Sequence, residues 1–154
     1  MEIYRVSFIG HRELYDVRAI EDRLDMLIRD LLLKKEYVEF YIGRNGDFDI
    51  WAASAVKRAQ KAIGSHNSSL ILVLPYHAKD EEYYEKYYDD MLFPLDINTH
   101  FKAAITKRNE WMIDNSDMLI AYVAKETGGA YKTLQYAKKL CVKTVNIADN
   151  AKFY

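Results

Sequence analysis

A single cysteine, Cys141, stands in a chain of 154 residues. No internal disulfide and no cysteine-built metal cluster is therefore open to it. Cys141 falls on the apolar side of the last helical pattern, where a small buried core residue is expected rather than a nucleophile. Prolines number two and glycines six, with no internal repeat, low-complexity stretch or linker, so one domain over 1–154 is expected. No apolar run nears the roughly 20 residues that cross a bilayer, and the first residues lack a basic segment followed by a signal-length apolar core. A cytoplasmic, reducing location is the expectation, with no membrane partner. Net charge is −1, which removes any global electrostatic case for nucleic acid, so none is expected as a partner. An anion site would have to be local. His66, His77 and His100 are scattered without ligand spacing, and no metal is expected. Walker lysine, Gly-x-Ser-x-Gly and Gly-x-Gly-x-x-Gly patterns are missing, and no cofactor is expected.

What the chain does contain is alternation on a larger scale. Apolar runs of strand length lie at 3–9, 37–42, 69–74, 118–123 and 142–147. Between them, helical stripes run over about 16–34, 50–63, 99–115 and 129–140. In the first, Val17, Ile20, Leu24, Leu27, Ile28, Leu31 and Leu32 recur at three- and four-residue steps, and Asp16 is placed to cap it. In the second, Ala52, Ala55, Val56 and Ala59 suit close packing on a sheet, and Gly64 ends the helix. Near-continuously apolar strands alternating with helices predict a mainly parallel sheet covered on both faces. The expected architecture is an α/β, Rossmann-like three-layer sandwich of about five strands, closed by a short tail.

In such a sheet, ligands bind beyond the carboxyl ends of the strands. Those ends carry Gly10-His11-Arg12, then Gly43-Arg44-Asn45-Gly46 with Asp49, then Pro75-Tyr76-His77, then Glu126-Thr127-Gly128-Gly129. The last of these joins a strand to a helix through paired glycines. A helix N-terminus offers free backbone N–H groups and the positive end of its dipole, and glycine lets an anion approach them. The alternative is a plain tight turn. Arg12 is either a phosphate ligand or a salt-bridge partner of Glu13 or Asp16. His11 either orients a ligand or bonds a neighbouring strand end. Asp49 either steadies the helix dipole or bonds ribose hydroxyls. Arg108, on an otherwise apolar helix face, is either ligand-facing or snorkelling.

These motifs bear a resemblance. Phe8-Ile-Gly-His-Arg12, Phe40-Tyr-Ile-Gly43 through Gly46-Asp-Phe-Asp49, and Asp117 through Gly128-Gly129 resemble, in the same order, the SLOG superfamily, and within it the short Gly-His-Arg-bearing members of bacterial and phage type. The superfamily includes Lonely Guy phosphoribohydrolases, DprA-type proteins and sensors of nucleotide-derived signals. The resemblance implies a Rossmann-like fold that binds a nucleotide or nucleotide-sugar at the strand-end rim, through the glycines and arginines above with Thr127 and Thr133. Lonely Guy enzymes carry Pro-Gly-Gly-x-Gly-Thr-x-x-Glu. Here Thr127-Gly-Gly-Ala-Tyr-Lys-Thr-Leu-Gln-Tyr136 has no proline, and Gln135 or Tyr136 stands in the glutamate's place. Glutamine cannot act as a general base, so binding is expected over turnover, with Glu110 or Glu126 as the substitutes for an N-glycosidase or phosphoribohydrolase. Thirteen tyrosines, five of them in 76–88, remain to be placed; segment 76–92 is expected to join subunits into a homo-oligomer, with a lid over a base as the lesser role.

Overall fold

The computed structural model describes residues 1–77 and 79–151. The elements run β1 (Ile3–Gly10), α1 (Val17–Lys34), β2 (Tyr37–Ile42), α2 (Asp47–Ile63), β3 (Ser68–Val73), α3 (Glu81–Tyr87), β4 (Asp90–Leu92), α4 (Phe101–Asp114), β5 (Met118–Tyr122), α5 (Gly128–Lys139), β6 (Lys143–Asn146) and α6 (Ile147–Ala151). The strands form one sheet in the order β4-β3-β2-β1-β5-β6, and every pairing is parallel. The chain winds from β1 outward to β4, crosses back beside β1 as β5, and winds outward again. The switch in direction therefore lies between β1 and β5.

Side-chain alternation divides the core into two layers. Val6, Phe8, Val38, Phe40, Leu70, Leu72, Met118 and Ile120 face α1, α2 and α6. Ile9, Tyr41, Ile71, Val73, Leu119 and Ala121 face α4 and α5. Alanines at 52, 53, 55 and 59, all essentially buried, let α2 lie close to the strands. At the amino ends, Asp117 fixes the β1–β5 register by accepting the Arg5 backbone N–H through Oδ2 (2.9 Å) and donating its own to Arg5 O (2.8 Å). At the carboxyl end, the Asn146 amide brackets Val123, accepting its N–H and donating to its carbonyl, both at 3.0 Å.

Four local expectations need correction. The sheet has six strands, because β4 lies inside the tyrosine segment, too short at three residues to show alternation. Asp89 holds that strand in place: its Oδ2 accepts from the Leu70 backbone N–H (2.7 Å) and Gln60 Nε2 (3.0 Å), with Lys57 beside it. Burial alone would raise the Asp89 pKa, but these donors prevail and hold it below the usual carboxylate range. Asp16 precedes α1 in the left-handed region (φ 55°) and makes no side-chain cap bond. Cys141 is exposed, in a left-handed turn (φ 60°), because α5 ends at Lys139, two residues short of it. Part of the expected tail is α6, which buries Ile147 and Ala148; residues 152–154 of that tail lie outside the described residues. Among the described residues, no helix is long and apolar enough to cross a membrane.

Candidate functional site

At the switch point, the ends of β1 and β2, the middle of α4 and the start of α5 enclose a cavity of about 370 Å³. Gly10, His11 and Arg12 line it from β1, and Gly43, Asn45 and Asp49 from the β2–α2 connection. Arg108 and Asn109 line it from α4, and Gly128 and Gly129 from α5. Residues more than a hundred positions apart thus meet through strand order alone.

Arg108 is the largest fully buried side chain among the described residues, at 2% exposure. Its Nη1 donates to Val73 O (2.8 Å) and its Nε to Asn109 Oδ1 (2.8 Å). Among the described residues, no acceptor takes Nη2. Burial lowers its pKa, with Asp49 and Tyr76 opposing, but a guanidinium remains charged throughout the ordinary pH range. A buried cation with a donor to spare is suited to an anion. Gly43 makes room for it: a Cβ there would stand 2.8 Å from Arg108 Nη1.

A polar chain links that guanidinium to the glycine turn. Asn109 Nδ2 donates to Thr133 Oγ1 (3.4 Å), which donates to Gly129 O (2.9 Å). Gly128 opens α5 at φ 91°, a conformation that L side chains rarely adopt. Beyond the chain neighbours and the helix's own backbone, no atom of the described residues lies within 4 Å of where a Cβ would sit on either Gly128 or Gly129. The first N–H groups of α5 therefore border open space, with no acidic residue in the first turn.

His11 ties the rim together. Its Nε2 accepts the backbone N–H groups of Ala124 (2.9 Å) and Lys125 (3.2 Å), and its ring meets Tyr122 edge-on. Burial, and then the Lys125 charge, lower its pKa, so the ring is neutral with its proton on Nδ1. Asp49 reaches back to accept the Asn45 backbone N–H (2.9 Å), in the manner of a capping carboxylate. Burial pushes its pKa up to about 6, against that bond and the Arg108 charge. Arg12 is exposed, and among the described residues neither Glu13 nor Asp16 forms a salt bridge with it.

No family model and no curated protein matches the chain by sequence. Solved structures do. DNA processing protein A (DprA) from Streptococcus pneumoniae superposes at TM-score 0.69 with 16% identity, over 92% of this chain and 49% of that one. The fold resembles that of DprA. A DprA structure from Helicobacter pylori, described for its single-stranded DNA binding mode, gives TM-score 0.65 and 17% identity over 92% and 63% of the two chains. The molybdenum cofactor carrier protein from Chlamydomonas reinhardtii gives 0.54 and 12% over 94% and 76%. The chain spans about half the length of the first DprA and under two thirds of the second. At the level of fold, the likeness agrees with the SLOG resemblance of the strand-end motifs.

The remaining sequence candidates lie elsewhere. Arg44 does not line the cavity: its Nη1 donates to Tyr88 Oη (3.1 Å) and its guanidinium lies 4.8 Å from the Tyr84 ring centre. Gly46 sits behind the wall against Arg12 Cα, and Thr133 supports Gly129 from below. Thr127 precedes α5 with an exposed side chain that makes no cap bond. Glu126 is exposed and does not line the cavity. Glu110 does not line the cavity; its charge adds a little to the rise of the Tyr136 pKa, pushed up to about 12 chiefly by the bond of Tyr136 to Asp114. Sequence reasoning placed Asn45 at the rim without giving it a role, and missed Ile105 and Asn109. A polar pair, Arg108-Asn109, interrupting the apolar stripe of α4 was the available signal.

Proposed function

We propose that the protein binds a phosphate-bearing, nucleotide-derived small molecule at the switch point, sensing or sequestering it. The observation that supports this best is the buried Arg108 with its spare Nη2, joined by Asn109 and Thr133 to the open Gly128-Gly129 turn. Anionic oxygens would take the α5 amides and Arg108, with Arg12 at the mouth. Mass spectrometry of the molecule that co-purifies with the native chain would name the ligand. Calorimetry with AMP, ADP-ribose and inorganic phosphate tests the site. Gly129→Asp puts a carboxylate where the anion should lie and is expected to abolish binding; unchanged affinity removes the reading.

The DprA likeness favours a second reading, single-stranded DNA, against which the −1 net charge weighs. A gel shift at low salt decides it. The raised pKa of Asp49 favours a third, cleavage of an N-glycosidic bond, with Asp49 taking the place expected of Glu110 or Glu126 as the carboxylate that lines the cavity. Incubation with nucleoside monophosphates and NAD, followed by chromatography for free base, tests turnover. Self-association through α3, which buries no residue and leaves Tyr83 exposed, is proposed alongside and is read by sedimentation.

A further inference from the structure

A second cavity, of about 400 Å³, opens beyond the carboxyl ends of β3 and β4. Four aromatic rings stand in its walls. Tyr76 and Phe101 pack with ring centres 5.3 Å apart, and His77 and Phe93 stack at 4.0 Å with their planes 14° apart. A bond of 2.7 Å between His77 Nδ1 and Glu81 Oε1 fixes the imidazole. Phe101 is nevertheless 70% exposed, an unusual position for a phenylalanine on an otherwise well-packed helix. Asp96 supplies a polar edge, on a turn held by its own Oδ1 accepting from Asn98 N (2.9 Å).

The two cavities share one helix face. Phe101 and Ala104 line the second and Ile105 and Arg108 the first, at successive turns of α4. Arg108 Nη1 bonds Val73 O, three residues before Tyr76 of the second cavity. From 101 to 108 the helix rises about 10 Å, on the scale of a nucleoside phosphate. The switch-point pocket and the aromatic cleft thus lie on successive turns of α4.

We infer that the ligand carries a nucleobase, and that the base stacks in the cleft of Tyr76, His77, Phe93 and Phe101 while its phosphate occupies the switch-point pocket. The inference rests on the anion reading above and assigns the other half of the molecule. Flat aromatic faces suit any base, and the cleft's few polar groups allow only modest choice among them. A base reaches such a cleft from a free nucleotide or from a single strand, and the two are separable.

The test is calorimetry on the full chain with ribose 5-phosphate, AMP, UMP and an all-thymidine oligonucleotide, on the wild type and Phe101→Ala. The exposed position of Phe101 makes that variant safe for the fold. AMP or UMP is expected to bind about tenfold more tightly than ribose 5-phosphate, the worth of one stacked base. In Phe101→Ala that advantage should fall to about twofold or less, with ribose 5-phosphate affinity unchanged. Equal affinities for nucleotide and sugar phosphate, or an advantage that survives Phe101→Ala, overturn the base subsite and leave the anion site standing. Binding of the oligonucleotide alone, lost in Phe101→Ala, upholds the subsite and makes its source a strand. Binding of none of the four removes both subsite and anion site.

Discussion

Arg108 and Arg44 both stand near the carboxyl rim of the sheet, and they have opposite fates. Arg108 sits inside the switch-point pocket, bonded to a strand carbonyl and a neighbouring amide, with one nitrogen unclaimed among the described residues. Arg44 lies on the outer flank of α2, clasped by Tyr84 and Tyr88. Burial opposes the charge at both. At Arg44 the tyrosine oxygens outweigh burial and raise the pKa; at Arg108 burial prevails and the pKa falls. A cation already satisfied by its neighbours stabilises local structure, and one kept short of partners is available to a ligand.

The widest gap between them should open in binding. Arg108→Met keeps an unbranched apolar stem and removes the charge, and affinity for the co-purifying ligand is expected to fall about 100-fold, near 3 kcal/mol, in calorimetry. A smaller loss than for Arg44 would reverse the contrast.

Asp49 sharpens the picture through pH. Its folded pKa of about 6 lies above the ordinary 3.8, so folding favours the protonated carboxyl. That contribution is complete below about pH 4 and is lost as pH rises through about 6. Asp49→Asn, which keeps an acceptor for Asn45, should therefore be more stable than the wild type at pH 8 by about 2 kcal/mol, below the roughly 3 that the full shift sets as a ceiling. Urea titrations at pH 4 and pH 8 measure it; an advantage of equal size at both would contradict burial of the carboxylate as its origin.

Arg44→Ala completes the series. Loss of one half-exposed ring contact and one tyrosine bond should cost under about 1 kcal/mol in the same titrations and leave ligand affinity within about twofold.

These two arginines also mark how far sequence reasoning reached. Alternation and helical stripes were enough to give the layers, the parallel sheet and the rim as the place for a site, because burial imposes those patterns directly. Position after a strand end identified Gly10, His11, Arg12, Gly43, Asp49 and Gly128-Gly129, all of which line the cavity. Direction was not available. Nothing in Gly43-Arg44 says that the guanidinium will turn toward tyrosines forty residues away, or that Gly43 is needed to admit Arg108. The three-residue β4 left no periodic trace, since three residues are too few to alternate and the Asp89 side-chain bond that anchors its start is not a pattern. Cys141 was misplaced for a related reason: helix ends are set by local turns that an apolar stripe does not record.

The strand order has one more consequence, for how a ligand and the fold depend on each other. The pocket draws on segments near residues 10, 45, 108 and 128, which come together only when both windings of the sheet are in place. Neither half of the chain holds the complete site, so whatever binds the whole pocket counts only the complete fold. Occupancy is then a thermodynamic brace across the whole domain: at a hundredfold excess over its dissociation constant, a ligand adds about 2.7 kcal/mol to unfolding. The melting temperature of the protein is in this sense an assay for the molecule it holds.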